Sequence, residues 1–119
     1  MERLKVLFHV NEPERIKVAM GNITNLIKDV SPEMADIELV INGAAINVYS
    51  NNEIVETMKA LNSKGVKFMA CRNSLRMLCE NNPVCMLNED TLPVFVEVVP
   101  AGVTEIAKKQ AEGYAYIKP

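Results

Sequence analysis

The side chain best suited to chemistry in this sequence is the thiol of Cys71. It directly follows an apolar run, Val66 to Ala70, that predicts a buried strand, and it precedes a helical pattern that begins at Ser74. Unpaired N–H groups and the positive end of the helix dipole favour an anion at such a position. Arg72 is adjacent and adds positive potential, so we expect a lowered thiol pKa and a larger thiolate fraction at neutral pH. The predicted chemistry is that of an anionic sulfur, either a thiolate or a persulfide.

A structural interpretation of the cysteines stays open beside this one. Free cysteine is among the most buried residue types and often acts as a small hydrophobe, and this applies to Cys71 and more strongly to Cys79 and Cys85. Cys79 lies about 12 Å along the predicted helix, too far to bridge Cys71. Cys85 lies in a longer predicted loop and could approach Cys71 as a resolving thiol. Three cysteines without a framework spacing are typical of a reducing, cytoplasmic setting.

Four predicted loops meet at the edge of the sheet where Cys71 lies, because the carboxyl ends of parallel strands share one edge. Besides Cys71, the candidate site residues in these loops are Asn11, Gly43, Arg72, Asn73, Ser74 and Gly102. Asn42 and Pro100 belong to the same loops. His9, at the end of an apolar strand, is either a hydrogen-bonded core residue or a base.

Several sharper motifs are absent from the sequence. There is no C-x-x-C pair for a dithiol switch, and a C-x5-R phosphate loop would need Arg where Met77 stands. Neither G-x-G-x-x-G nor a Walker loop occurs, so nucleotide binding is not predicted. One histidine and three scattered cysteines do not form a zinc motif. We therefore expect neither a metal nor a cofactor.

The elements that must position these residues alternate along the chain. Strands are predicted at Leu4–Val10, Ile37–Ile41, Val66–Ala70, Val94–Val99 and Tyr114–Ile117. Helices are predicted after the capping sequence Asn11–Glu14, after a capping box at Ser50–Glu53, at Ser74–Asn81, and from Gly102 to Gly113. Five strands separated by four helices indicate an α/β fold with a mainly parallel sheet and helices on both faces.

Composition is consistent with one such domain spanning residues 1–119. The net charge of −2, with Lys and Arg dispersed among acids, indicates no nucleic-acid partner. No apolar run approaches the roughly 20 residues of a membrane span, and the N-terminus shows no signal-peptide pattern. The expected location is the cytoplasm.

Three segments of the sequence resemble the DsrE/DsrF-like family, and the resemblance extends over essentially the whole chain. The first is the cysteine segment Gly65–Leu75, the second is Val98–Val103 with its Pro-Ala-Gly turn, and the third is the terminal Gln110–Pro119. The opening Val6–Pro13 is similar too. The resemblance implies a three-layer α/β/α fold of flavodoxin or Rossmann-like type, assembled as a homo-oligomer, either a trimer or a hexamer.

The resemblance also implies a role for the cysteine. In the sulfur-relay members the cysteine after the third strand accepts a persulfide sulfur and passes it to a partner protein, and Cys71 matches that position. Asn73 and Ser74 match the motif and would orient the loop or bind the transferred sulfur. Arg72 stands where many relatives have a small residue, and it would screen the thiol or recruit an anionic partner.

The function predicted from the sequence is a sulfur carrier or sulfurtransferase-like protein that serves sulfur donor and acceptor proteins. A non-catalytic binding module for a small ligand or partner peptide is the alternative, with Cys71 incidental; a purely structural oligomer subunit is the third possibility. In the predicted loop Val84–Leu92, the apolar residues Met86, Leu87 and Leu92 need cover. They predict either an oligomer interface or a small cluster beneath the loop.

Overall fold

Five strands alternate with four α-helices in the computed structural model, which describes residues 3–80, 82 and 85–119. The strands are β1 (Leu4–Val10), β2 (Ala35–Ile41), β3 (Lys67–Cys71), β4 (Val96–Val99) and β5 (Ala115–Ile117). The helices are α1 (Ile16–Val30), α2 (Asn52–Asn62), α3 (Arg72–Glu80) and α4 (Gly102–Ala111). Short 3₁₀ segments cover Pro13–Arg15, Pro32–Met34 and Gly43–Ser50. The predicted α/β fold is confirmed.

The strands form one sheet in the order β4-β3-β2-β1-β5, and every described pair is parallel. From β1 to β4 the chain moves by one strand at each step in the same direction. Right-handed crossovers then place α1, α2 and α3 on the same face. Because β5 pairs with β1 at the far side, the connection through α4 returns across the sheet and covers the opposite face.

The two faces of the sheet are covered unequally. The main core joins β1, β2 and β3 to the apolar stripes of α1 and α2, and its fully buried members include Phe8, Leu39 and Phe68. On the other face a smaller cluster consists of Leu7, Val40, Met69 and Val99, with Ile106 of α4 and Tyr114 packed against it. A single helix of ten residues thus covers the face toward which the side chains of Met69 and, two residues later, Cys71 point.

Two predicted helix caps were wrong. The side chain of Asn51, not that of Ser50, accepts the N–H of Ile54 at 3.2 Å and begins α2. The Ser50 hydroxyl instead donates to the Asn47 carbonyl at 2.7 Å and closes the preceding 3₁₀ segment. Before α1, Asn11 is not the cap, because the 3₁₀ turn Pro13–Arg15 intervenes and no side chain caps it.

Element ends differ from the predictions by a few residues where tertiary contacts decide them. Strand β2 begins at Ala35, and β4 begins only at Val96, where its pairing with β3 starts. Helix α3 begins at Arg72, without the predicted loop between strand and helix. The predicted end of that helix at Asn81 and the first residue of the predicted loop, Val84, lie outside the described residues.

The loop after α3 is held by its own chain. Leu87 and Leu92 are buried in the main core, whereas Met86 is 79% exposed. Two of the three apolar side chains thus pack into the main core rather than into a small cluster beneath the loop, and the prediction of an oligomer interface stays a prediction. No helix in the part of the chain described by the structure has both the length and the apolar character needed to span a bilayer.

Candidate functional site

Cys71 is the last residue of β3, and α3 begins at the next residue. In the sheet it pairs with Val99, the last residue of β4. The turn after Val99 leads into α4 at Gly102, so the first turns of two helices, α3 and α4, meet at the Cys71 side chain. Helix starts carry N–H groups without helical partners, which makes this junction suited to an anion.

Hydrogen-bond donors from both helices are directed at the Cys71 sulfur. Burial raises the pKa of the thiol, but the Ser74 hydroxyl and the backbone N–H groups of Gly102, Ser74 and Asn73 lower the pKa by a larger combined amount. The pKa of Cys71 therefore lies below its ordinary value. Each of these donors stabilises the thiolate over the thiol, which is the property that thiol nucleophiles require.

The sulfur is nevertheless buried. Only 5% of the Cys71 surface is exposed. Gly102, the first residue of α4, is near enough to the sulfur for its N–H to lower the pKa of the thiol. The site therefore combines a thiol of lowered pKa with low solvent exposure.

Ser74 connects the sulfur to the end of β2. Its hydroxyl oxygen accepts the N–H of Gly43 at 2.8 Å, which leaves the hydroxyl hydrogen for Cys71. Gly43 adopts φ +58°, and a Cβ there would lie 3.2 Å from the Asn11 carbonyl oxygen. A cavity of about 230 Å³ opens beside this bond and is lined by Gly43, Ala44, Ser74, Met77 and Leu78.

The candidate residues are brought together to different degrees. Ser74, Asn73 and Gly102 lie near enough to the sulfur for their donor groups to lower its pKa, and Gly43 is joined to this set through Ser74. Asn11 is one step further away: its backbone lies against Gly43, while the residue lines a separate cavity of about 240 Å³ together with Arg15 and Lys118.

Arg72 turns away from the thiol. Its guanidinium makes two hydrogen bonds to the Glu89 carboxylate, at 3.1 and 3.2 Å. The main contributions to the lowered thiol pKa are hydrogen bonds and do not include the charge of Arg72. The expectation that Arg72 activates Cys71 is replaced by activation through backbone and hydroxyl donors.

Asn42 and Tyr116 complete the surroundings of the site, and sequence reasoning assigned no role to either. Asn42 accepts a hydrogen bond from the buried His9 and packs against Gly102. Its place after β2 was a usable signal, because that loop was predicted at the same edge. Tyr116 gave no such signal, since its approach to His9 depends on the pairing of β5 with β1.

The remaining cysteines form a pair of their own. Cys79 and Cys85 are joined by a disulfide, with their Cα atoms 5.3 Å apart, which is within the usual range for such bonds. Cys85 is therefore not a resolving thiol for Cys71 in this state, and the expectation of three reduced cysteines was wrong. Among the described residues, no three His, Cys, Asp or Glu side chains are grouped to hold a metal ion.

Comparisons with known proteins agree with this geometry. The model of the DsrE/DsrF-like family matches residues 5–119. A solved structure, described as a protein of unknown function, MTH1491, from Methanobacterium thermoautotrophicum, has 31% sequence identity and a TM-score of 0.80, with both chains covered over 100% of their length. No curated protein matches the chain. The fold, the matched residues and this similarity establish that the chain belongs to the DsrE/DsrF-like family.

Proposed function

We propose that this protein is a sulfur carrier that holds a persulfide on Cys71 and passes the outer sulfur to a partner thiol. Membership of the DsrE/DsrF-like family indicates a role related to sulfur relay. The observation that carries the finer proposal is the set of donors around Cys71: the Ser74 hydroxyl and the N–H groups of Gly102, Ser74 and Asn73. They favour a negative charge on sulfur through hydrogen bonds, and the main contributions from the described residues include no charged side chain.

The proposed reaction is two successive thiol exchanges. The Cys71 thiolate attacks the outer sulfur of a donor persulfide, a new S–S bond forms on Cys71, and the donor leaves as its thiolate. An acceptor thiolate then attacks the outer sulfur and releases the Cys71 thiolate. Each step exchanges one S–S bond for another, so no oxidant or reductant is consumed. Such exchange needs a stabilised thiolate more than it needs a general acid or base.

The donors around Cys71 support both states of this cycle. In the resting state they lower the thiol pKa, and after loading the same N–H groups would stabilise the anionic outer sulfur. The cavity of about 230 Å³ beside Ser74 offers room for that atom. Because the thiol is 5% exposed, the proposal requires α3 and α4 to separate slightly at their first turns when a donor or acceptor docks.

Mass spectrometry of the intact protein after incubation with a persulfide donor tests the proposal. The wild type and a Cys79→Ser/Cys85→Ser variant, which retains Cys71 alone, should each gain the mass of one sulfur atom that dithiothreitol removes. Cys71→Ser with the Cys79–Cys85 disulfide intact should gain none. Equal loading of Cys71→Ser would contradict the proposal.

We propose further that the protein acts as one domain of residues 1–119, in the cytoplasm, as a homo-oligomer of three or six chains. Its partners would be sulfur donor and acceptor proteins rather than nucleic acid or membrane. Size-exclusion chromatography with light scattering measures the oligomer, and a monomer at micromolar concentration would contradict this part.

The burial of Cys71 favours a second candidate function, a non-catalytic module that binds a small ligand or a partner peptide. With 5% exposure, Cys71 could be a packing residue. The surrounding donors would then only complete the hydrogen bonding of a buried sulfur. Alkylation of the folded protein separates the two functions. A Cys71 that iodoacetamide modifies only after unfolding supports the binding module, whereas modification in the native state supports the carrier.

A further inference from the structure

His9 is a buried polar residue whose two ring nitrogens are both engaged. It lies near the end of β1 and is 8% exposed. Its Nε2 lies 2.9 Å from Oδ1 of Asn42, and its Nδ1 lies 2.6 Å from the Tyr116 hydroxyl. Because the amide oxygen can only accept, Nε2 carries a hydrogen and donates it, and in a neutral ring Nδ1 accepts from the tyrosine. The three side chains thus form a directed series of hydrogen bonds.

Asn42 carries this series to the sulfur site. Its backbone N–H donates to the Val10 carbonyl at 3.1 Å, so β1 holds both its backbone and its side chain. A Cβ placed on Gly102 would lie 3.3 Å from both Cβ and Nδ2 of Asn42. The Asn42 side chain therefore lies directly against the residue whose N–H is directed at the Cys71 sulfur.

We propose that His9 is a positioning residue for the sulfur site, which acts by fixing the Asn42 side chain against which Gly102 rests. Because Gly102 has no side chain, it can pack closely against the Asn42 amide that His9 holds in place. This packing keeps the Gly102 N–H directed toward Cys71. Without that hydrogen bond the amide rotates and the first residue of α4 shifts. This role deepens the proposed function and rests on it.

The geometry of the site makes small displacements of Gly102 important. A hydrogen bond weakens steeply as its angle departs from linearity, and a group that orients a donor can matter nearly as much as the donor. The other donors to the sulfur belong to α3, whereas Gly102 is the contribution of α4 and depends on how that helix is seated. The series from Tyr116 through His9 to Asn42 therefore couples the β1–β5 side of the sheet to the thiolate.

The test is the pH dependence of Cys71 alkylation in the full-length protein, measured by peptide mass spectrometry. His9→Phe fills the site but cannot hydrogen-bond, so the alkylation midpoint should move to higher pH and the rate at pH 7 should fall by at least about threefold. His9→Gln, whose amide can still donate to Asn42, should restore most of the rate. Tyr116→Phe removes only the outer bond and should have a smaller effect.

A merely structural role for His9 would lower the melting temperature while leaving the alkylation midpoint unchanged, and that result would overturn the proposal. Equal midpoints for His9→Phe and His9→Gln would also overturn it. If His9→Phe does not fold, Asn42→Ala takes its place, and an unchanged midpoint there has the same meaning. The readout is thiol ionisation, so it is independent of persulfide loading: a wild type that never loads sulfur disproves the carrier function without moving these midpoints.

Discussion

The backbone N–H of Gly43 donates a hydrogen bond to the hydroxyl oxygen of Ser74 at 2.8 Å. This contact joins the end of β2 to the first turn of α3, and it fixes which way the hydroxyl hydrogen points. With its oxygen accepting from Gly43, Ser74 is free to donate to the Cys71 sulfur, which lowers the pKa of the thiol. Gly43, which lies 31 positions before Ser74 in the sequence, thus contributes to the ionisation of the cysteine.

Replacing Ser74 by Ala should raise the pKa of Cys71. The variant removes the hydroxyl that is the largest of the contributions lowering that pKa against burial. A hydrogen bond to a charged group contributes about 1.5 kcal/mol or more, so native-state alkylation at neutral pH should slow by about tenfold. Ser74→Thr keeps the hydroxyl and is the matched control. A Ser74→Ala rate equal to that of the wild type would remove Ser74 from the site.

Gly102→Ala should both destabilise the protein and raise the pKa of the thiol. The added Cβ would lie 3.3 Å from two atoms of Asn42 and 3.4 Å from Cγ1 of Val40, and we expect the start of α4 to shift and the Gly102 N–H to lose its direction toward the sulfur. Overpacking of this kind costs about 1–3 kcal/mol, which urea denaturation measures.

Gly21→Ala is the matched control for that substitution. Gly21 lies inside α1, and a Cβ there would meet no atom within 4 Å. The same chemical change should therefore stabilise the protein by about 0.5–1 kcal/mol, since alanine is the better helix former, and leave Cys71 alkylation unchanged. If Gly21→Ala and Gly102→Ala had similar effects on stability and on Cys71 alkylation, crowding at Gly102 would not be the cause of those effects.

Arg72→Met should leave the pH midpoint of Cys71 alkylation close to that of the wild type. The guanidinium is bound to Glu89, and the main donors to the sulfur do not include it. Loss of this partly exposed ion pair should lower stability by no more than about 1 kcal/mol, as a shift in the denaturation midpoint. A marked rise of the thiol pKa in Arg72→Met would restore the sequence-based idea that its charge activates the cysteine.

Glu38 should make the protein less stable as the pH rises toward 8. This carboxyl of β2 is 2% exposed beneath α4, and its Oε2 has no hydrogen-bond partner among the described residues. Burial, with a hydrogen bond and the like charge of Glu105, raises its pKa to about 8, against the opposing effect of Lys109 and Lys67. Because the folded pKa exceeds the unfolded value of 4.5, the folded state binds more protons between these values and stability declines across that window.

The substitution Glu38→Gln should abolish this decline and increase stability above pH 8. The measurement is the free energy of unfolding in urea at several pH values from 5 to 9. Glu97→Gln, an exposed position on β4, is the control and should follow the wild-type curve. A Glu38→Gln curve parallel to that of the wild type would mean that Glu38 ionises equally in the folded and unfolded protein.

The Cys79–Cys85 disulfide should stabilise the protein under oxidising conditions. Its two cysteines are separated by six positions, and closing so short a loop contributes about 2 kcal/mol. Dithiothreitol should lower the denaturation midpoint of the wild type and have no effect on Cys79→Ser/Cys85→Ser. A wild-type midpoint that does not respond to reductant would show that the pair is not oxidised in solution.

The sequence alone was sufficient for the fold class and for the place of Cys71 within it. Apolar runs alternating with helical stripes are local signals, and they predicted five strands and four helices in the right order. The placement of Cys71 between β3 and α3 follows from the same local signals, as does the proximity of Ser74 and Asn73. Parallel pairing of those strands also brought the loops of Gly43 and Gly102 to the same edge.

Tertiary structure decided how the sulfur is activated and how far solvent reaches it. Beside the β4–β3 pairing that sets the turn after Val99 next to Cys71, the pairing of β5 with β1 sends α4 across the open face of the sheet. It also brings Tyr116 to His9 across 107 positions, which no local pattern encodes. The Arg72–Glu89 pair and the Cys79–Cys85 bond likewise depend on how the loop after α3 folds back. Contacts between distant segments arise from packing the whole chain, and residue type and spacing describe only its local part.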